Sequence, residues 1–100
     1  MPIQMRRYEL DPTHVGEWLT FFQELTRVRA TFGFRLLSAY LDRANNEFTW
    51  VVEHDQPFSE IEPAYAASPE RAALFTGRPA FALVLHVSEV EAITVTSERP

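Results

Sequence analysis

The stretch Gly33 to His54, GFRLLSAYLDRANNEFTWVVEH, constrains the fold of this chain more than any other segment. Two apolar, alternating runs flank Asn45-Asn46, and asparagine tolerates the positive φ angles of a tight turn. Alternation with a period of two marks strands, so the stretch predicts an antiparallel hairpin. A turn centred on Asn45-Asn46 places Leu41 opposite Trp50 and Ala39 opposite Val52. One face then carries Leu37, Ala39, Leu41, Phe48, Trp50 and Val52, all apolar. The other carries Leu36, Ser38, Tyr40, Thr49, Val51 and Glu53, too apolar for open water and too polar for a dry core.

The elements around the hairpin follow from their punctuation. Ile3 to Leu10 alternates and predicts a first strand. Asp11 can accept from free backbone N–H groups, and Pro12 suits a first helical position. Val15, Trp18, Leu19, Phe22, Leu25 and Val28 form one helical stripe, with Glu17, Gln23, Glu24, Arg27 and Arg29 mostly on the solvated side. This helix is expected to end near Thr31. After the hairpin, Gln56-Pro57 breaks the strand, and Glu62-Pro63 opens a short helix through Tyr65 and Ala67. Ser68 caps a second start with Pro69 in its first turn, and Gly77 stops it. Phe81 to Val87 is the last strand, with a resumption over Ala92 to Val95. Residues 1–96 thus form a single domain, followed by a loose tail from Ser97 to Pro100.

Strand, helix, strand, strand, helix, strand is the order of a ferredoxin-like βαββαβ domain. The expected class is α+β: a four-stranded antiparallel sheet with its helices on one face. The fully apolar hairpin face belongs beneath the helices. The mixed face has two readings, a wetted surface or a contact with the same face of a second subunit. The second is preferred, because Leu36, Tyr40, Val51 and Val84 would otherwise form a sizeable exposed patch. Two such protomers would close a dimeric α/β barrel with a cavity inside.

Bulk properties exclude several functions. A charge of −5 and a pI near 5.1 argue against nucleic acid or an anionic membrane as partner, since either favours a clustered basic face. No apolar run approaches the ~20 residues that span a bilayer, and MPIQMRRYEL does not read as a signal peptide. Cysteine is absent, which removes disulfides, thiolate catalysis and thiolate-bound metal and fits a cytoplasmic location. The histidines His14, His54 and His86 show no metal-ligand spacing, and no phosphate-cradling glycine pattern occurs. No metal or cofactor is expected.

Four segments together resemble the NIPSNAP family of the dimeric α/β-barrel (ferredoxin-like) superfamily. They are Met5 to Pro12 (MRRYELDP), Gly33 to Tyr40 (GFRLLSAY), Asn46 to Trp50 (NEFTW) and Ser68 to Arg71 (SPER), spread in order over most of the chain. The family often has Pro-Gly after the first strand, where this chain has Pro12-Thr13-His14, so no role of that glycine transfers. The resemblance implies a small homodimer whose facing sheets enclose a pocket. Barrel relatives include cofactor-free monooxygenases, haem-handling proteins and small isomerases, so the fold alone selects no chemistry.

Both parities of the first strand mix apolar and charged residues. The set Gln4, Arg6, Tyr8 and Leu10 is assigned to the pocket, partly on the family likeness. Arg6, Tyr8, Tyr40, Glu53 and His86 would then meet in one concavity. Arg6, Tyr40 and Glu53 would bind a ligand, Arg6 by holding an anionic group, and His86 and Tyr8 would handle a proton. The plainer reading is an Arg6–Glu53 pair that neutralises charge between subunits. His54 is expected at the rim and Trp18 in the core. Haem draws little support, because Trp50 falls on the helix side. The leading expectation is a homodimeric binder of a small apolar or aromatic anion. The alternatives are a cofactor-independent monooxygenase or isomerase, and a protein-interaction module without a site.

Overall fold

A computed structural model of the chain describes residues 1–95. Its order is β1 (Ile3–Leu10), a 3-10 turn (Pro12–His14), α1 (Val15–Thr31), β2 (Arg35–Asp42), β3 (Glu47–Glu53), α2 (Phe58–Ala66), α3 (Pro69–Phe75) and β4 (Ala82–Val90). The strands form one antiparallel sheet in the order β2-β3-β1-β4. This is the ferredoxin-like α+β arrangement. The predicted tail from Ser97 and the domain end at residue 96 lie outside the described residues.

The core forms where the helices cover one side of the two central strands. Tyr8 and Leu10 from β1 and Phe48, Trp50 and Val52 from β3 are buried against Trp18, Phe21, Phe22 and Leu25 of α1 and Phe58 and Tyr65 of α2. Most aromatic pairs meet edge to face, as in Phe22 against Phe48 at 4.7 Å and Tyr8 against Trp18 at 5.4 Å, while Phe21 stacks on Phe81. Such geometry adds about 0.5–1.5 kcal/mol per pair to the burial itself. No helix is long and apolar enough to cross a membrane among the described residues.

The hairpin turns one residue earlier than its dipeptide suggested. Asp42 pairs with Glu47 and Leu41 with Phe48, leaving Arg43 to Asn46 as the loop. The Asp42 carboxylate accepts from the Asn45 backbone N–H at 3.2 Å and from its side-chain amide at 2.8 Å, and Asn46 takes φ 52°. These bonds hold the Asp42 carboxyl below the usual carboxylate range. The register moves by two residues, so the faces survive: Ala39 pairs with Trp50 instead of Val52. A bulge between Leu36 and Ser38 breaks this pattern, and Leu36 pairs with Val52, off the face assigned to it. Leu37 is half exposed, because the edge strand β2 lies largely beyond the helices.

Four further expectations change. α2 begins at Phe58 rather than at Glu62, with Pro63 inside it. β4 runs unbroken to Val90, and residues 91–95 add no strand. Phe21 joins the core, fully buried. His54 is buried rather than at the rim; its Nε2 lies 2.7 Å from the Phe32 carbonyl and its Nδ1 accepts from the Gln56 N–H at 2.9 Å. That pair of bonds makes Nε2 the protonated nitrogen. Ser68 and Pro69 start α3 as expected, the Ser68 hydroxyl accepting from the Arg71 N–H.

Gly33 joins α1 to β2 at φ +90°, and a Cβ there would lie 2.8 Å from His54 Nε2. The imidazole cannot retreat without losing one of its two bonds. Gly77 has φ +75° but open space around a Cβ. Gly77→Ala should therefore cost only the left-handed backbone penalty of about 1–2 kcal/mol. Gly33→Ala should cost that and a displaced histidine, roughly 2–4 kcal/mol in all. Urea unfolding should show the larger fall in midpoint for Gly33→Ala; equal falls would mean that the histidine moves freely.

Candidate functional site

Pairing of β1 with β3 decides where the candidate residues go. Arg6 lies opposite Trp50, Tyr8 opposite Phe48 and Gln4 opposite Val52. Because the β3 partners are the apolar set beneath the helices, the even residues of β1 share that side. Arg6 is mostly buried there. Its Nε donates to the Tyr8 hydroxyl at 2.8 Å, its Nη1 donates to Gln4 Oε1 at 2.8 Å, and its guanidinium lies 5.2 Å from the Trp50 ring centre.

Across from Arg6, α1 contributes Arg29, only 3 % exposed. Its Nη2 donates to Glu62 Oε1 of α2 at 2.7 Å. The same Glu62 oxygen lies 3.6 Å from Arg6 Nη1, so one carboxylate serves two cations. The aromatic rings of Phe34, Tyr65 and Trp50 surround the Arg29 guanidinium at 4.0, 4.9 and 5.1 Å from their centres. These ring faces supply part of the stabilisation that burial takes from the cation.

Between the sheet and the helices lies a partly enclosed cavity of about 430 Å³. Arg6, Tyr8, Arg29, Glu62 and Arg71 line it along with apolar side chains such as Leu25, Phe75, Phe81 and Leu85. Three guanidinium groups thus meet one carboxylate, leaving the cavity cationic. Some of its lining residues also carry polar atoms that are closed to solvent and short of partners. Trp18 Nε1, Trp50 Nε1, Arg29 Nε and the Tyr65 hydroxyl have none, and all four residues line this cavity. An unpaired buried polar group costs about 1–3 kcal/mol, so four in one place call for an explanation. Burial pushes the Tyr65 hydroxyl above the ordinary tyrosine pKa, with the charges of Arg29 and Arg71 opposing it. Tyr65 therefore keeps its proton and can donate.

The constellation expected from the sequence is divided by the sheet. Arg6 and Tyr8 do meet, but beneath the helices. Tyr40, Glu53 and His86 belong to the opposite face. Tyr40 is 66 % exposed and pairs with Thr49 on the outer parity. Glu53 accepts from Arg35 Nε at 2.9 Å, so its partner is Arg35 and not Arg6. His86 sits opposite Arg7, with Nε2 3.8 Å from Glu9 Oε2. The cause is parity: β1 faces the helices with its even residues, while Tyr40, Glu53 and His86 follow the odd residues of β1. Among the described residues, no group of histidines and carboxylates could hold a metal ion.

Sequence reasoning missed Arg29, Glu62, Tyr65 and Arg71 as cavity residues. Arg29 carried a legible signal, since Trp18, Phe22, Leu25 and Arg29 follow one helical stripe at spacings of four, three and four. Its charge alone had placed it on the solvated side. Glu62 and Tyr65 were obscured by the late helix start expected at Glu62-Pro63.

No family model matches the chain, and no curated protein matches it in sequence. Solved structures do match in fold. An uncharacterized NIPSNAP domain protein from Burkholderia xenovorans superimposes with a TM-score of 0.76 at 17 % identity, over 98 % of this chain and 100 % of that one. An antibiotic biosynthesis monooxygenase gives 0.68 at 14 % identity, over 94 % and 100 %. A dimeric ferredoxin-like protein from an uncultured marine organism gives 0.56 at 14 %, over 96 % and 92 %. The chain therefore shares its fold with NIPSNAP domain proteins and with ferredoxin-like proteins of the antibiotic biosynthesis monooxygenase type.

Proposed function

We propose that this protein binds a small apolar or aromatic anion in the cavity between its sheet and its helices. One observation carries the proposal: the guanidinium groups of Arg6, Arg29 and Arg71 line a single cavity in which Glu62 is the one carboxylate. A cavity of about 430 Å³ is within the usual range of small-molecule sites, roughly 300–1,000 Å³. Excess guanidinium charge favours an anion, and the aromatic walls favour a flat apolar body. A pure interaction module would have no reason to keep such a void. The location follows the chemistry of Arg6 and Tyr8, which stay in the proposed site, while Tyr40, Glu53 and His86 leave it.

Those three residues suit a second role. The outer face carries Tyr40 and Val84, both exposed, among Ser38, Thr49, Val51 and His86. We assign it to a homodimer contact, supported by the dimeric ferredoxin-like protein that shares the fold. The resulting reading is a homodimer with one ligand cavity in each protomer, and the lack of cysteine suits a reducing cytoplasm.

An enzymatic version of the same site draws on the fold shared with an antibiotic biosynthesis monooxygenase. The guanidinium groups of the cavity wall would stabilise an enolate oxygen as charge develops on it. His86 cannot handle the proton from across the sheet, which leaves Tyr8. Turnover of this kind should fall at least tenfold in Tyr8→Phe and stay unchanged in His86→Ala.

Thermal unfolding with 2-naphthoate tests the binding site. The midpoint should rise with ligand concentration by mass action. Ala66→Trp, which fills the cavity from the exposed end of α2, should abolish the rise while the unliganded protein stays folded. An undiminished rise in that variant would place binding elsewhere. In unliganded protein, Tyr65→Phe removes a hydroxyl without a partner and should leave stability unchanged or higher. A loss above about 1 kcal/mol would show that the hydroxyl already has a partner. For the dimer, Val84→Glu sets a second carboxylate opposite Glu9 and should shift light scattering at micromolar concentration from dimer to monomer. A dimer unaffected by that change would put the contact on another surface.

A further inference from the structure

Among the described residues, four arginines are at least partly buried: Arg6, Arg29, Arg35 and Arg71. Three of them face a carboxylate. Arg29 donates to Glu62 Oε1 at 2.7 Å, Arg6 Nη1 lies 3.6 Å from the same oxygen, and Arg35 donates to Glu53 and Asp55, each at 2.9 Å. Arg71 is the exception. Its backbone N–H donates to the Ser68 hydroxyl, but no carboxylate oxygen among the described residues lies within 4.0 Å of its guanidinium. What that guanidinium meets instead are rings, Phe75 at 4.4 Å and Tyr65 at 6.0 Å from their centres, and both belong to the cavity wall. Ring faces steady a cation but leave its N–H donors without acceptors.

The other two cations of the cavity are already committed. Glu62 holds Arg29 directly and Arg6 at longer range, and Arg6 also donates to the Tyr8 hydroxyl and to Gln4 Oε1, at 2.8 Å each. Arg29 is only 3 % exposed, so an anion that took it from Glu62 would have to open the core. Arg71 stands on α3, which buries none of its residues, and its side chain can turn to a ligand without unpacking anything. The apolar part of the wall begins at the ring it covers. Phe75 and Phe81 both pack on Phe21, each at 5.0 Å, and Ala82 and Leu85 continue that wall without a charge.

Resting on the cavity being the ligand site, we infer that Arg71 is the residue that selects the ligand, and that the ligand is a monocarboxylate. Its two oxygens take the N–H fork of Arg71. Its apolar body lies against Phe75, Phe81, Ala82 and Leu85. Arg6 and Arg29 stay with Glu62 as part of the wall. The cavity thus has one cation to offer and a place for one negative charge.

Calorimetric titration with 2-naphthoate, 2-naphthamide and 2,6-naphthalenedicarboxylate tests this. The three share one ring system and carry one negative charge, none and two. 2-Naphthoate should bind about tenfold or more tightly than the amide, which brings no charge to the fork. It should exceed the diacid by a similar factor, because a second carboxylate would meet an uncharged wall. Arg71→Met keeps an apolar stem and removes the fork. It should weaken 2-naphthoate to the level of the amide, with amide affinity and the unliganded thermal midpoint unchanged. Arg71→Lys keeps the charge without the fork and should fall between the two. The inference is overturned if Arg71→Met binds 2-naphthoate as tightly as the unaltered protein, or if the amide or the diacid matches 2-naphthoate. In those cases loss of binding in Ala66→Trp would still mark the cavity as the site. An unaltered protein that binds none of the three would overturn both readings.

Discussion

The pairing of Arg6 with Trp50 across β1 and β3 is the contact on which the rest of the site depends. It sets the even residues of β1 under the helices and puts a guanidinium against the most buried aromatic ring of the sheet. A slip of one residue would turn Arg6, Tyr8 and Gln4 outward and bring Met5 and Arg7 in. Tyr8 and Leu10 would leave the core with them. The same pairing therefore fixes both the packing of Trp18 and the polar floor of the cavity.

Above that floor, Arg29 and Glu62 place charge where burial makes it costly. Burying a guanidinium among aromatic rings costs desolvation that one carboxylate returns only in part. Arg29 keeps an unpaired Nε, and Glu62 divides one oxygen between two cations. Replacing such groups with apolar side chains of similar volume is often neutral or stabilising. In the proposed reading, their presence beside the cavity serves an anionic ligand rather than stability. The two faces of the sheet consequently divide the work, with a ligand site proposed on one and self-association on the other.

Much of the fold was legible because local patterns repeat the physics of each element. Alternation in β1 and in the hairpin, the stripe from Trp18 to Leu25, and Ser68-Pro69 before α3 all carried through. The hairpin faces survived a register error because it was even. They failed at the start of β2, where a bulge without any glycine signal changes the parity at Leu36 and leaves Leu37 half exposed. The site was less legible. Arg29 reads as a solvated charge unless the stripe is extended one turn, and Glu62 and Tyr65 wait on a helix that starts at Phe58 after a proline.

By itself, the sequence determined the order of elements, the apolar face of β3 and the hydrophobic stripe of α1. Each is set by periodicity within a few residues of chain. The tertiary structure alone decided which side of the sheet receives Arg6 and Tyr8, and that Arg29, Glu62 and Tyr65 close over them. Alternation in a strand defines two faces but not which is inward. That choice comes from the neighbouring strand and the helices above it, and these are brought together only by the folded chain.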